Sequence, residues 1–294
     1  METLLAYEVW LRLSAFLGLL ALFLSWEGLA PKRERERTRR ERWMSNSGII
    51  IIDSIALRLV FPTAAIGAAL WAAEVQFGLL YLIPNLPAWL HVLVAILILD
   101  FAIWLQHLSF HHVPWLWRLH RMHHSDVDVD VTTAVRFHPL EMLLSMLIKM
   151  GVVVIFGAPA VAVLLFEVLL NGTSLFNHSN IRLPQKADDV LRWFLVTPDM
   201  HRIHHSWHKE ETNSNFGFNL PWWDKLFKTY RSDPKDGHRG MVLGLHEFRE
   251  PARNRLHALL LQPLSNTAPS SRSEIAAVKG SDTEKMKANS KENS

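Results

Sequence analysis

The stretch WRLHRMHHSD, residues 117–126, places His120, His123 and His124 within a little more than one helical turn. Residues 198–206, PDMHRIHHS, repeat the arrangement with His201, His204 and His205. In a helix, residues at i, i+3 and i+4 share a face, so each triad can point one way. The second triad has a helix start of its own, with Thr197 as N-cap and Pro198 in the first helical position. QHLSFHH (106–112) adds His107 and His111 at i,i+4 with His112 beside them, and FNHSN (176–180) adds His178.

The chain has 294 residues, sixteen of them histidine and none cysteine. Disulfides, thiolate metal sites and cysteine nucleophiles are therefore excluded. Neutral imidazole is the commonest side-chain metal ligand. Two triads, a pair and a single histidine exceed the needs of one ion and suit two. Imidazole accepts Zn, Cu, Fe or Ni, so residue type alone does not choose the metal. An all-imidazole site is neutral, unlike the Glu-rich carboxylate-bridged bundles. His91, His238, His246 and His257 stand alone and read as structural, whereas His138 in RFHPLE is a spare ligand or a supporting residue. Ring orientation needs partners on the distal nitrogens. Asp100, seven residues before His107 on the same helical face, and Asp126, Asn180 and Asp199 beside the other groups are the candidates. Asp126, Asp128 and Asp130 alternate as in an exposed strand or loop.

Composition sets the surroundings. The chain is 49% apolar, with twelve tryptophans and a net charge of +3. Residues 4–26 are long enough to span a bilayer. Glu8 and Arg12 interrupt that run one turn apart and can pair. No cleavage site follows, so the run reads as an anchor. PKRERERTRRER (31–42) has seven Lys/Arg against three Glu. Between apolar flanks it reads as a cytoplasmic loop and not as a nucleic-acid arm. Residues 48–73 and 88–106 are the next spans, with Pro-broken FGLLYLIPNLP (77–87) between them. Residues 142–170, broken at Gly157-Ala158-Pro159, read as a hairpin of two short helices. This count returns every clustered histidine to one side of the membrane, at the ends of the spans. The expected organisation is an anchor and basic loop over 1–47, a membrane-embedded catalytic region over 48–264, and a disordered tail over 265–294. The expected fold is an all-α integral membrane protein with a cytoplasmic histidine-rich helical cap for two metals.

HLSFH (107–111), HRMHH (120–124), NHSN (177–180) and HRIHH (201–205), in this order, resemble the fatty acid hydroxylase/sterol desaturase superfamily of membrane enzymes. RFHPLE (136–141) and NFGFNLPWWDKLFKTY (215–230) are similar to its flanking segments. The resemblance covers roughly residues 90–231, and NHSN and TPDMHRIHHS look most like alkylglycerol monooxygenase-type members and bacterial relatives. It implies two non-haem irons that use O₂ against a C–H bond of a lipid, by hydroxylation or desaturation. It implies as ligands His107, His111, His120, His123, His124, His178, His201, His204 and His205. Some members have a further histidine where this chain has Arg182, which leaves water, His138 or His112 for that position. His111 and His112 are alternatives at the end of the first motif. No fused cytochrome b5 domain is expected, so electrons come from a separate cytochrome b5-, ferredoxin- or pterin-type donor. Trp222 and Trp223 suit anchoring at headgroup level. The membrane is the inner membrane in a bacterium or the endoplasmic reticulum in a eukaryote. A metal transporter would put its ligands near mid-span. A zinc hydrolase would need about three ligands and a Glu base, and there is no HExxH.

Overall fold

The computed structural model describes residues 7–83 and 85–266. The tail expected to be disordered lies almost wholly outside them, as do the first residues of the anchor. The described chain is helical. Its main elements are α1 (Glu8–Leu29), α2 (Arg39–Val60), α3 (Ala64–Glu74), α4 (Ala88–His112), α5 (Pro114–His124), α6 (Pro139–Phe156), α7 (Ala160–His178), α8 (Gln185–Leu191) and α9 (Pro198–His204).

Proline and glycine set most of the boundaries. Pro62 disfavours helical geometry at Phe61, where the single span expected over 48–73 breaks into α2 and α3. Pro114 ends α4 and opens α5, with Val113 extended between them. That bend turns the His107/His111 face towards the first triad. Gly157 closes α6 in the left-handed region, φ 67°, and α7 opens after Pro159. The expected break is there, but its two helices are not short. They have 18 and 19 residues and are each long and apolar enough to cross a membrane, at about 27 Å or more by helical rise. Among the described residues five such stretches occur: α1, residues 39–82, α4, α6 and α7. The protein is a multi-pass integral membrane protein.

The core within the spans is built where α3, α4, α6 and α7 meet. Ala65, Ala69, Ala95 and Ala162 let the backbones close in around Leu99, Val153 and Phe166. Outward faces stay apolar, as at Leu17, Ile55, Leu59, Leu147 and Ile155, which fits a lipid solvent. A second cluster packs Phe23 of α1 against Leu175 of α7 and Val131. The C-terminal end of α4, the first turn of α6 and the C-terminal end of α7 converge under a cap formed by α5, α9 and the loops that follow.

The basic segment differs most from expectation. It is a strap bound into the cap, and its last four residues are the first turn of α2. Arg42 is 2% exposed and forks onto Asp126, with Nε donating to Oδ1 and Nη2 to Oδ2, both at 2.8 Å. A further nitrogen reaches Asp130. The backbone N–H groups of Glu36 and Arg37 donate to the two carboxylate oxygens of Asp128, at 2.9 and 2.7 Å. The alternating aspartates are therefore buried and not an exposed strand, because the strap brings the cations and donors that let carboxylates leave water. Glu8 and Arg12 do pair, at 3.2 Å.

Candidate metal centre

The nine histidines of the four motifs converge into two groups. His107, His111, His120, His124 and His204 form one; His123, His178, His201 and His205 form the other. Within each group the facing ring atoms lie within 4.8 Å of one another. One rule sorts them. Each i,i+4 pair (His107/His111, His120/His124, His201/His205) stays in one group, and the i+3 histidine of each triad enters the other. Adjacent side chains on a helix diverge by about 100°, so His123 and His124 cannot serve the same point. Each HxxHH therefore feeds both groups; the repeats do not supply one half each.

Hydrogen bonds fix the rings. His107 Nδ1 donates to the Phe216 carbonyl at 2.7 Å, His178 Nδ1 to the Ser174 carbonyl at 2.8 Å, and His204 Nδ1 to the Ser214 carbonyl at 2.7 Å. His120 Nδ1 donates to Glu141 Oε1 at 2.7 Å. A carbonyl oxygen can only accept, so the Nδ1 atoms of His107, His178 and His204 carry the proton and their Nε2 atoms keep the lone pair. Yet His107 Nε2 lies 3.1 Å from His120 Nε2 and 3.0 Å from His204 Nε2. His178 Nε2 lies 3.0 Å from the Nε2 atoms of both His123 and His201. Between His107 and His204, two lone pairs at that distance have no proton to share. Metal–nitrogen bonds of about 2.1 Å put neighbouring ligand nitrogens about 3.0 Å apart and opposite ones about 4.2 Å apart. The spacing is that of ligands around a common ion. His111 Nε2 and both ring nitrogens of His124 and His205 are buried without any protein partner, which fits the same reading.

The electrostatics agree. Burial pushes His120 down to about 3. Burial together with the neighbouring imidazoles holds His123, His124, His201, His204 and His205 well below the ordinary histidine value. The rings are neutral, the form that ligates. Phe137 stacks on His123 at 4.3 Å between centroids. Phe216 and Phe218 wall the groups on the side of His204 and His107.

The remaining candidates have other work. His138 caps α6: its Nδ1 accepts from Leu140 N and its Nε2 donates to the Leu260 carbonyl, leaving no lone pair for a metal. His112 is exposed and donates to the Leu108 carbonyl of its own helix. Arg182 is exposed and outside both groups. None of the four expected ring-orienting residues makes a hydrogen bond to a clustered histidine. Asp100 accepts from Asn219 Nδ2 at 2.8 Å and Trp223 Nε1 at 2.7 Å. Asn180 pairs with the backbone of Arg33, and Asp199 with Lys32 and Arg202. Asp126 takes Arg42. Burial would raise Asp126, but Arg42 and Arg136 outweigh it and hold it well below the carboxylate range. Burial likewise opposes Asp199, which Arg202 and Lys32 bring to about 2. Sequence neighbours were the wrong guide because the strap, remote in sequence, claims Asp126, Asn180 and Asp199. Trp223 locks onto Asp100, while Trp222 donates to the Trp193 carbonyl with its ring partly exposed, as anchoring requires.

The groups that do orient rings are Glu141, Asn213 and the carbonyls of Ser174, Ser214 and Phe216. Asn213 Oδ1 lies 3.3 Å from His111 Nδ1. The 214–217 loop is itself held by Asp224, whose carboxylate accepts from Phe216 N at 2.9 Å and Gly217 N at 2.8 Å. A Cβ at Gly217 would sit 2.8 Å from the Leu220 carbonyl. Glu141, in the RFHPLE segment beside His138, had a visible signal: a carboxylate in the first turn of a helix capped by histidine.

A cavity of about 620 Å³ ends at His107 and His120. Its walls come from α1, α2, α4, α6 and α7, with Phe16, Leu57, Ile103, Met142, Met146 and Phe218 among the apolar ones.

Residues 92–229 match the family model for fatty acid hydroxylase. The chain is 30% identical over 149 residues to ornithine lipid hydroxylase OlsE of Rhizobium tropici, covering 51% of this chain and 44% of that protein. It is 26% identical over 170 residues to alkylglycerol monooxygenase of Homo sapiens, covering 56% and 36%. It is 27% identical over 147 residues to cholesterol 25-hydroxylase of Mus musculus, covering 49% and 48%. The matches thus span about half or less of these relatives. No solved structure gives a significant match.

Proposed function

We propose, from the match of residues 92–229 to the fatty acid hydroxylase family model, that the chain is a membrane-bound non-haem di-iron oxygenase. It would use O₂ to hydroxylate or desaturate a C–H bond of a lipid. The observation that carries this reading is the sorting of nine neutral imidazoles, eight of them buried and His111 half-buried, into a group of five and a group of four. His107, His111, His120, His124 and His204 would hold one iron, and His123, His178, His201 and His205 the other. Bound irons supply the oxidising power towards an alkyl C–H bond that side chains lack.

The protein's own residues do the rest. Glu141 and the carbonyls of Ser174, Ser214 and Phe216 keep the Nδ1 protons in place, so the Nε2 lone pairs face inwards. Phe137, Phe216 and Phe218 limit water. The apolar walls of the cavity give a lipid chain a bed that leads to His107 and His120, and the membrane-facing spans make lateral entry natural. The three relatives named above carry lipids in their names, of three different kinds, which supports the class of substrate. We place the histidine cap on the cytoplasmic face, because the basic strap bound into it follows the positive-inside rule. A separate cytochrome b5-, ferredoxin- or pterin-type donor would reach the cap from that side.

The test is metal analysis with Mössbauer spectroscopy on protein purified from iron-supplied cells, beside His123→Ala and His204→Ala. About two coupled irons per chain, with the two variants each depleting a different site, are expected. Lipid profiling of cells with and without the protein then identifies the product. One metal or none in folded protein would refute the binuclear reading.

A further inference from the structure

Four ionisable side chains meet inside candidate membrane stretches, away from the histidines. Lys149 of α6 donates through Nζ to Glu167 Oε1 of α7 at 2.8 Å. Arg12 of α1 lies with Nη1 3.3 Å from the other Glu167 oxygen and donates to Glu8 at 3.2 Å. All four residues line the cavity that ends at His107 and His120. They stand at its far end. On α6, Lys149 comes eight residues after Glu141, the partner of His120, which is about 12 Å of helical rise. On α7, Glu167 comes seven residues before Ser174, the partner of His178, which is about 10 Å. The intervening walls carry Met142, Met146 and Leu170 besides Asn171 and Ser145, and Ser145 already accepts from Gln106 Nε2 at 2.8 Å.

Ionisable groups within spans are costly, and those on a cavity generally serve a ligand. The pairing leaves a surplus of one kind. Each oxygen of Glu167 already has a cation. Among the described residues, Arg12 Nε and Nη2 and the remaining N–H bonds of Lys149 have no protein acceptor. The Arg12 side chain is 32% exposed and that of Lys149 12%, so both are open to a ligand. The spare capacity is therefore donor capacity. Two cations balance two carboxylates, so a further full charge would stand uncompensated in the membrane. An uncharged oxygen that accepts meets the donors without upsetting that balance.

We infer that Arg12 and Lys149, held in place by Glu167, form a subsite for an uncharged oxygen acceptor of the lipid substrate, a carbonyl or hydroxyl. This rests on the lipid-oxygenase reading and narrows it to lipids with such a group about 10–12 Å along the chain from the carbon that meets the histidines. Arg12 and Lys149 touch substrate in this scheme and set specificity; Glu167 positions them.

The experiment is equilibrium binding to metal-loaded protein in phosphatidylcholine nanodiscs, with binding to empty nanodiscs subtracted. The tritiated probes are a long-chain methyl ketone and the alkane and alkyl sulfate of equal length. Wild-type protein is expected to bind the ketone about tenfold more tightly than the alkane, as a hydrogen bond to a charged group gives. Lys149→Met/Glu167→Leu removes both members of the buried pair, a replacement that folding generally tolerates. It should erase the preference with metal content unchanged, whereas Lys149→Arg should retain it. Arg12→Gln, at a partly exposed position, should weaken it and serves as the test if the double variant does not fold. Equal binding of ketone and alkane by wild-type protein, or an undiminished preference in these metal-replete variants, would overturn the subsite and leave the network as a staple between α1, α6 and α7. Tighter binding of the sulfate than of the ketone would overturn the choice of an uncharged group. The same preparations are given reductant and O₂. A ketone preference that the variants lose, without turnover of any probe, would uphold the subsite and count against the oxygenase reading.

Discussion

His111 and His112 are neighbours in sequence and differ in everything that matters for ligation. His111 lies in the group of five, with Nδ1 towards Asn213 and Nε2 free and buried. His112 points away from both groups and bonds back to Leu108. His111→Ala is therefore expected to weaken metal retention at one site, while His112→Ala retains both metals. Metal-to-protein ratios after dialysis against a chelator distinguish them, and equal losses would contradict the assignment. The same logic separates His138, both of whose ring nitrogens are occupied, from the clustered histidines.

The strap from residue 31 to the first turn of α2 joins the ends of the spans to the histidine cap. Its strongest joint is Arg42, whose planar fork fits Asp126 with two parallel bonds while a third reaches Asp130. All three side chains are almost fully buried. Removing the arginine leaves two carboxylates without their cation, a loss of about 3–5 kcal/mol by analogy with other broken buried pairs. Arg42→Met should lower the thermal unfolding temperature markedly. Arg42→Lys should recover only part of it, because an ammonium cannot make the parallel pair. Thermal unfolding in detergent measures both, and a lysine variant as stable as wild type would show that charge alone suffices. The bend between α4 and α5 and the Gly157 turn between α6 and α7 make the complementary contribution. They bring three helix ends to the same level, so that His107, Glu141 and His178 meet.

Over the molecule as a whole, the helices deliver every clustered histidine to one end of the bundle. The turn after α3 lies at the other end, where Gly78 packs against Gly157. A chain without cysteine is well suited to testing this. Single-cysteine variants at two exposed positions, Ser232 in the cap and Glu74 at the end of α3, should react with a membrane-impermeant maleimide from opposite sides. Ser232→Cys is expected to be protected in intact cells and labelled in inverted vesicles, and Glu74→Cys the reverse. Labelling of both from one side would break the topology and the cytoplasmic placement of the site.

Much of this was readable in one dimension. Helical spacing marked the two triads, the Thr197–Pro198 start and the His107/His111 pair, because i,i+3 and i,i+4 proximity is local geometry. Hydrophobic run length marked the membrane spans for the same reason. Tertiary structure decided the rest. It split each HxxHH between two groups, put His111 and not His112 among the clustered rings, made Glu141 and three backbone carbonyls the ring-orienting partners, and turned Asp126, Asn180 and Asp199 into anchors for the strap. Those choices depend on which groups meet from distant segments, such as Arg42 with Asp126 or His107 with Phe216. Buried polar atoms take whichever complementary partner folding brings to them, and sequence distance carries no record of that.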